Sequence, residues 1–176
     1  MAAVRAPWGP IHAAVSDRGV VALETLMPRE AFVAGLERRF HGEVGTGRDG
    51  LLDDAVAQLE EYLRGERHAF TLPIDLADRP AWDQTVLMAV AEIPWGETVS
   101  YGMLARSIDK PGAARAVGGA VGRSPIGIVV PCHRVIAADG TLGGYGGDWF
   151  GSREQGLELK QELLAREGLD ISRRRA

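Results

Sequence analysis

The chain of 176 residues holds one cysteine, Cys132, and four histidines. A single thiol cannot close a disulfide within the chain. With so few imidazoles it also cannot build an ordinary four-ligand zinc cage, so no metal site is expected. No apolar run approaches the roughly 20 residues that cross a bilayer, and no membrane contact is expected. The first residues lack a basic stretch followed by an apolar core. A secretory signal is therefore not expected, and a reducing cytoplasm is the expected setting. Basic residues are in deficit, 20 Lys and Arg against 24 Asp and Glu, for a net charge of −4. Taken alone, that deficit argues against a nucleic-acid partner, because phosphate contacts favour basic surfaces. Internal repeats and low-complexity tracts are absent.

What is present is ordinary for a globular chain, 45% apolar and 25% charged. The charge is unevenly spread. Arg106, Lys110, Arg115, Arg123 and Arg134 face only Asp109 over residues 104–134, whereas Asp53, Asp54, Glu60 and Glu61 cluster elsewhere. A local basic face fits a modest DNA footprint, and it equally fits unremarkable surface charge. Short apolar runs on either side of Ser16-Asp17-Arg18-Gly19 predict a β-hairpin. Helical spacing predicts helices over 28–40 and 51–63, the second stopped by Gly65, and 70–76 reads as a further strand. Ala77-Asp78-Arg79-Pro80 is a polar hinge. The expected domains are therefore residues 1–78, a small unit of strands and helices, and 79–176, mainly helical.

In the second part, Trp82, Val86, Leu87, Val90 and Ile93 make a core-facing helical stripe. Ser100 can cap a short helix over 101–107, and Asp109-Lys110-Pro111 reads as the start of another. Two short helices with a tight connection make a helix-turn-helix candidate. The second helix is rich in alanine and glycine. Such a face permits close approach to a sugar-phosphate wall, or else tight helix packing. Ser152-Arg153-Glu154-Gln155 reads as a capping box opening a last helix that Gly168 stops. The tail 172–176 is expected to fray.

The chemistry centres on Pro131-Cys132-His133-Arg134-Val135, entered from the apolar run 126–130. A free thiol is only a few per cent thiolate at neutral pH, and a neighbouring imidazole can take its proton directly or through water. Along an extended strand His133 would point away from Cys132, so that role needs a turn. Otherwise His133 is a hydrogen-bonded structural residue. Glu167 ends the last helix, where the macrodipole disfavours a carboxylate. It is either solvated or used, and contact with His133 would complete a triad with cysteine as nucleophile.

These residues resemble the O6-alkylguanine-DNA alkyltransferase family. The 131–135 segment is similar to its acceptor motif, and Ile93-Pro94-Trp95-Gly96-Glu97-Thr98-Val99-Ser100-Tyr101-Gly102 to its entry into a helix-turn-helix. Ala113-Ala114-Arg115-Ala116-Val117-Gly118-Gly119-Ala120 resembles its recognition helix, and residues 156–168 its closing helix. The likeness covers about residues 80–168, and the first half is compatible with the family's divergent first domain. The resemblance implies an α+β fold. A small N-terminal α/β domain of ribonuclease H-like form precedes a mainly helical domain, which carries a winged-helix-like helix-turn-helix and the active-site cysteine.

It also implies a cofactor-free, single-turnover DNA-repair methyltransferase, a monomer on the minor groove of double-stranded DNA. The damaged base, O6-alkylguanine or O4-alkylthymine, is flipped out because its alkyl carbon is inaccessible inside the stack. In that scheme Arg115 is the finger filling the vacated space, and Tyr101 presses on the 3′ phosphate. Tyr145 lies near guanine N3, Gly146 offers its backbone to O6, and the carbonyls of Cys132 and Val135 meet the exocyclic amine. Cys132 receives the alkyl group, assisted by His133 and Glu167.

Two departures stand out. Ser124 occupies a position where the family commonly has asparagine, and a hydroxyl makes fewer bonds than an amide, so the turn it supports is expected to be looser. The link after Gly146 is longer by about eight residues, a length that loop entropy tolerates. There Trp149 and Phe150 either lid the pocket or pack on the surface. Two competing readings remain at this point: a non-catalytic alkylguanine-flipping DNA-binding protein, and a thiol hydrolase, for which the sequence marks no oxyanion hole.

Overall fold

The computed structural model describes residues 1–45, 50–146 and 152–170. The chain forms two compact units, Met1–Asp75 with Pro125–Gly127, and Leu76–Ser124 with Ile128–Ala176.

The first unit is built on an antiparallel sheet of β1 (Ala2–Ala6), β2 (Gly9–Val15) and β3 (Val20–Glu24) in that order. The hairpin around Ser16–Gly19 forms as the apolar runs on either side of it predict. The first strand had no comparable signal, since its alanines and arginine carry little β preference. Two helices complete the unit, α1 (Arg29–Phe40) and α2 (Gly50–Arg64). Phe32 and Leu36 of α1 pack with Ala14, Val21 and Ala22. Leu52, Ala55, Leu59 and Tyr62 of α2 supply a second buried stripe at helical spacing.

The strand expected over 70–76 reduces to one parallel bridge, Ile74 to Val20. Pro73 lies beside that bridge and cannot donate, which limits pairing there. Its carbonyl still accepts from Val20 at 2.8 Å. Further along β3, Leu23 donates to Pro125 O and accepts from Gly127 N, at 2.8 and 3.0 Å. These short segments satisfy an edge that would otherwise invite pairing with another chain.

The second unit gathers α3 (Ala81–Ala91), α4 (Tyr101–Ser107), α5 (Ala114–Gly122) and α6 (Arg153–Arg166) around a two-residue parallel pair. That pair joins β4 (Val99–Ser100) to β5 (Val135–Ile136). Ser100 caps α4, its Oγ accepting from Met103 N at 3.2 Å. The helix α4 ends where Asp109 turns left-handed at φ 57°, with Lys110 N reaching back to Ala105 O at 2.9 Å. Because Asp109 serves that stop and Gly112 is also left-handed, α5 begins at Ala114, later than the proline at 111 implied.

The capping box of α6 is present in both directions. Gln155 N donates to Ser152 Oγ at 3.2 Å, and Ser152 N to Gln155 Oε1 at 2.8 Å. Gly168 closes that helix with φ 78°. No described helix is long and apolar enough to cross a membrane.

Candidate active site

The apolar run 126–130 is buried but is not a strand. It passes through isolated bridges and a turn in which Ile128 takes φ 69°. The chain then enters a 3₁₀ turn over Cys132–Arg134. The alternation of an extended segment therefore does not apply, and the turn that a Cys-His partnership requires is in place. All three side chains are buried, His133 completely and Cys132 to 7% exposure.

Glu167 is the organising charge. Its Oε1 accepts from His133 Nε2 at 2.7 Å and from an Arg134 guanidinium nitrogen at 2.9 Å. Its Oε2 accepts from Arg134 Nε at 2.8 Å and from the Gly96 N–H at 3.3 Å. Arg134 also donates to the Ile93 carbonyl. Burial by itself would raise the Glu167 pKa. The bonds from His133 and Arg134 outweigh it and hold the carboxyl down at about 2. An ionised carboxylate only accepts, so His133 Nε2 carries the proton and Nδ1 presents a lone pair. Burial depresses the His133 pKa despite Glu167, so the resting ring is neutral. Nδ1 is buried with no hydrogen-bond partner among the described residues.

The Cys132 thiol donates to the Val121 carbonyl, Sγ to O 3.7 Å, and Ser124 N–H donates to the same oxygen at 3.2 Å. Ser124 is half-buried, and its backbone thus shares an acceptor with the thiol. Val135 is fully buried, and its N–H closes the turn on Cys132 O.

Lys160 has no exposed surface. Its ammonium donates to Val135 O, Leu142 O and Gly144 O at 2.6, 2.6 and 3.0 Å. Burial lowers its pKa to about 8, so it stays largely protonated at neutral pH. Gly144 is held a second time by a backbone hydrogen bond to the Tyr101 hydroxyl. Burial raises the Tyr101 pKa, keeping that phenol neutral. The half-buried ring of Tyr101 lies against Gly118 of α5, where a Cβ would stand 3.7 Å from it. Tyr145 is half-buried and Gly146 exposed, directly after this doubly held glycine. The Tyr145 carbonyl approaches α6 so closely that a Cβ on Gly156 would meet it at 2.8 Å, which only glycine permits.

The basic face is smaller than its residue count. Arg134 is buried on Glu167, and Arg123 is bound to Asp83. Arg106, Lys110 and Arg115 remain exposed on the helix-turn-helix. The small residues of α5 divide between the two uses open to them. Val117, Ala120 and Val121 are buried, while Arg115, Ala116 and Gly119 face solvent.

Two residues of this site had no part in the triad that the sequence predicts: Arg134, counted there in the basic face, and Lys160. Lys160 had a signal: it falls in the stripe of Leu159, Leu163, Leu164 and Glu167 at helical spacing, where a solvated lysine does not belong. Trp149, Phe150 and the tail 172–176 lie outside the described residues. Among the described residues no cluster of His, Cys, Asp or Glu is arranged to hold a metal ion.

Residues 81–169 match the family model described as 6-O-methylguanine DNA methyltransferase, DNA binding domain. Residues 2–76 match the model described as 6-O-methylguanine DNA methyltransferase, ribonuclease-like domain. The chain belongs to the 6-O-methylguanine DNA methyltransferase family.

A methylated-DNA–protein-cysteine methyltransferase of Methanosarcina acetivorans is 36% identical over 92% of this chain and 94% of its own length. A protein of the same name from Mycolicibacterium paratuberculosis is 51% identical over 64% of this chain, and the match spans 63% of that protein. The crystal structure of Mycobacterium tuberculosis OGT in complex with DNA superposes with a TM-score of 0.76 at 38% identity, covering 94% of this chain and 90% of that one. By family this chain is a DNA-binding methyltransferase of DNA repair with a mixed α+β fold, and Cys132 is its one thiol.

Proposed function

We propose that this chain repairs duplex DNA by moving the alkyl group of O6-alkylguanine, and of O4-alkylthymine, onto its own Cys132, once per molecule. The observation that carries this reading is the Cys132–Arg134 turn bound to Glu167, in which the residue next to a buried thiol is a neutral His133 whose Nδ1 has no hydrogen-bond partner among the described residues. In the transfer the Cys132 proton passes to His133 Nδ1, through a water where the two do not meet. A bond forms between Sγ and the alkyl carbon, and the bond from that carbon to O6 breaks. Guanine leaves with the electron pair. Tyr145 donates to the ring, and the Gly146 backbone donates toward O6, which makes guanine a better leaving group. Glu167 stabilises the imidazolium that forms. Carbonyls of Cys132 and Val135 recognise the exocyclic amine, and a carbonyl already bound by Lys160 keeps a second lone pair for this. A thioether does not hydrolyse, so one chain accepts one alkyl group.

Access requires the base to leave the stack. The exposed Arg115 on α5 fills the gap, and Tyr101 presses on the 3′ phosphate from α4. The exposed, nearly side-chain-free strip of Ala116 and Gly119 fits the narrow minor groove. Ser124 acts through its backbone bond to the Val121 carbonyl. A monomer in the cytoplasm suits one thiol that must stay reduced.

The test is an alkylguanine duplex followed by mass spectrometry of the protein. One alkyl group is expected on Cys132 and none on Cys132→Ser. An unmodified wild-type chain, or more alkyl groups removed than chains present, would refute the proposal. Salt provides a second check. Each phosphate contact contributes a slope of about −0.9 to log K against log salt, so Arg106, Lys110 and Arg115 together give about −3. Equilibrium binding over a salt series measures it, and a slope near zero removes these three as the footprint.

A further inference from the structure

Asp83 is a buried charge that takes no part in the steps above. It sits in the first turn of α3 at 2% exposure. Both of its oxygens are taken by Arg123, whose Nε donates to Oδ2 at 2.9 Å and whose Nη2 donates to Oδ1 at 2.7 Å. The arginine side chain is 54% exposed, so the fork closes over the carboxylate from the solvent side. It also folds back along its own helix: a Cβ on Gly119 would lie 3.2 Å from Nη1. Arg123 caps α5, between Val121, whose carbonyl receives the thiol, and Ser124, whose N–H shares that carbonyl. The preceding residue of α3, Trp82, donates Nε1 to Ala116 O at 3.3 Å. Two successive residues of α3 therefore hold α5 near both of its ends.

We propose that the Asp83–Arg123 fork positions the acceptor thiol, by fixing the end of α5 that presents the Val121 carbonyl to Cys132. The inference rests on the alkyl-transfer reading and deepens it. Both act on Cys132 through the Val121 carbonyl, so both are positioning residues. A two-bond fork fixes orientation as well as distance, which a single ammonium contact does not. A carbonyl that accepts S–H favours the neutral thiol and aims the sulfur. When the fork is cut, the carbonyl drifts. The thiolate then forms at lower pH, and the sulfur loses its aim at a bound base. Reactivity toward a small reagent and transfer from DNA consequently move in opposite directions. A residue that only supports the fold slows both or neither.

Titratable and charged groups close to the thiol include Tyr101 of α4, Lys160 of α6, and His133 and Arg134 of its own turn, both bound to Glu167 at the end of α6. All are intact in the variants used here. The experiment takes the full chain as wild type, Arg123→Ala, Asp83→Asn and Arg123→Lys, each checked for folding by circular dichroism. Two quantities are read: the single-turnover rate from an O6-methylguanine duplex, and the pH midpoint of Cys132 alkylation by iodoacetamide. Arg123→Ala and Asp83→Asn are expected to slow transfer about tenfold or more and to lower the midpoint by about half a pH unit. Arg123→Lys is expected to fall between them and wild type. Leu36→Ala, in the core of the first unit, serves as a destabilised control whose midpoint stays at the wild-type value.

A wild-type midpoint in folded Arg123→Ala overturns the proposal, as does a wild-type transfer rate. If Arg123→Ala does not fold, the same two readings on Asp83→Asn and Arg123→Lys decide it. A wild-type chain that takes no alkyl group from the duplex defeats the alkyl-transfer reading, and the iodoacetamide midpoints still decide the positioning role.

Discussion

Glu167→Gln is expected to slow alkyl transfer by a hundredfold or more, on the order of a general acid–base contribution, and to destabilise the chain by about 3 kcal/mol or more. Both effects follow from four donors converging on one carboxylate, from His133, twice from Arg134, and from Gly96. A glutamine has one oxygen and one NH₂ group, so at least one donor must face another donor. Arg134 is 6% exposed and would keep its charge with no buried counter-ion. His133 would lose the acceptor that fixes its proton on Nε2, and with it the lone pair held on Nδ1. Single-turnover kinetics and urea unfolding measure the two effects. A glutamine variant at the wild-type rate would remove Glu167 from the proton path.

Acidity gives the same network a signed test. The Glu167 pKa is depressed to about 2 from an ordinary value of 4.5. Its contribution to stability is therefore full above about 4.5 and is lost as pH falls toward 2. The depressed His133 adds to this from higher pH. Just below 6.5 the unfolded chain binds a proton that the folded ring resists, so stability falls as pH drops from there. In Glu167→Gln the loss between 4.5 and 2 is expected to shrink. An unaltered acid limb would mean that other carboxylates govern acid unfolding.

Lys160→Met is expected to slow transfer by about a hundredfold, the cost of misplacing reacting groups by about an ångström. The ammonium joins three carbonyls from two segments: Val135 of β5, and Leu142 and Gly144 of the following loop. Methionine keeps the length and apolar stem but offers no donor. Losing hydrogen bonds to a charged group costs on the order of 2–3 kcal/mol, partly offset because no charge then needs burying. The loop, no longer tied to α6, releases Gly144 from one of its two anchors, and with it the placement of Tyr145 and Gly146. The effect on transfer should exceed that on stability. A variant with lowered stability and an unchanged transfer rate would reduce Lys160 to a packing residue.

The local devices of this fold were legible in the residues because each acts over a few positions. Ser16–Gly19 turns the hairpin, Ser100 caps α4, Ser152 and Gln155 cap each other, and Gly168 stops α6. Elements that depend on longer range depart from the local pattern. The apolar run 126–130 reads as a strand, yet Ile128 turns left-handed within it, because burial there comes from packing around the segment and not from a continuous ladder. Ile74 makes only a bridge, because Pro73 beside it cannot donate. Of five cations counted along 104–134, three stay exposed without a buried partner, since Arg123, though exposed, and the buried Arg134 are bound to buried carboxylates that lie far away in sequence.

The sequence by itself determined the lone thiol, its imidazole neighbour, the family and most helix boundaries. A lone thiol, a five-residue motif and a cap are properties of residue type and short spacing. Only the tertiary structure decided what Arg134, Lys160 and Asp83 do, and that Glu167 meets His133 across 34 positions of chain. Those outcomes depend on which polar groups remain unpaired after the apolar stripes have packed. Burial makes an unpaired charge costly, so each is driven to the partner that packing brings within reach, and spacing along the chain does not encode that partner.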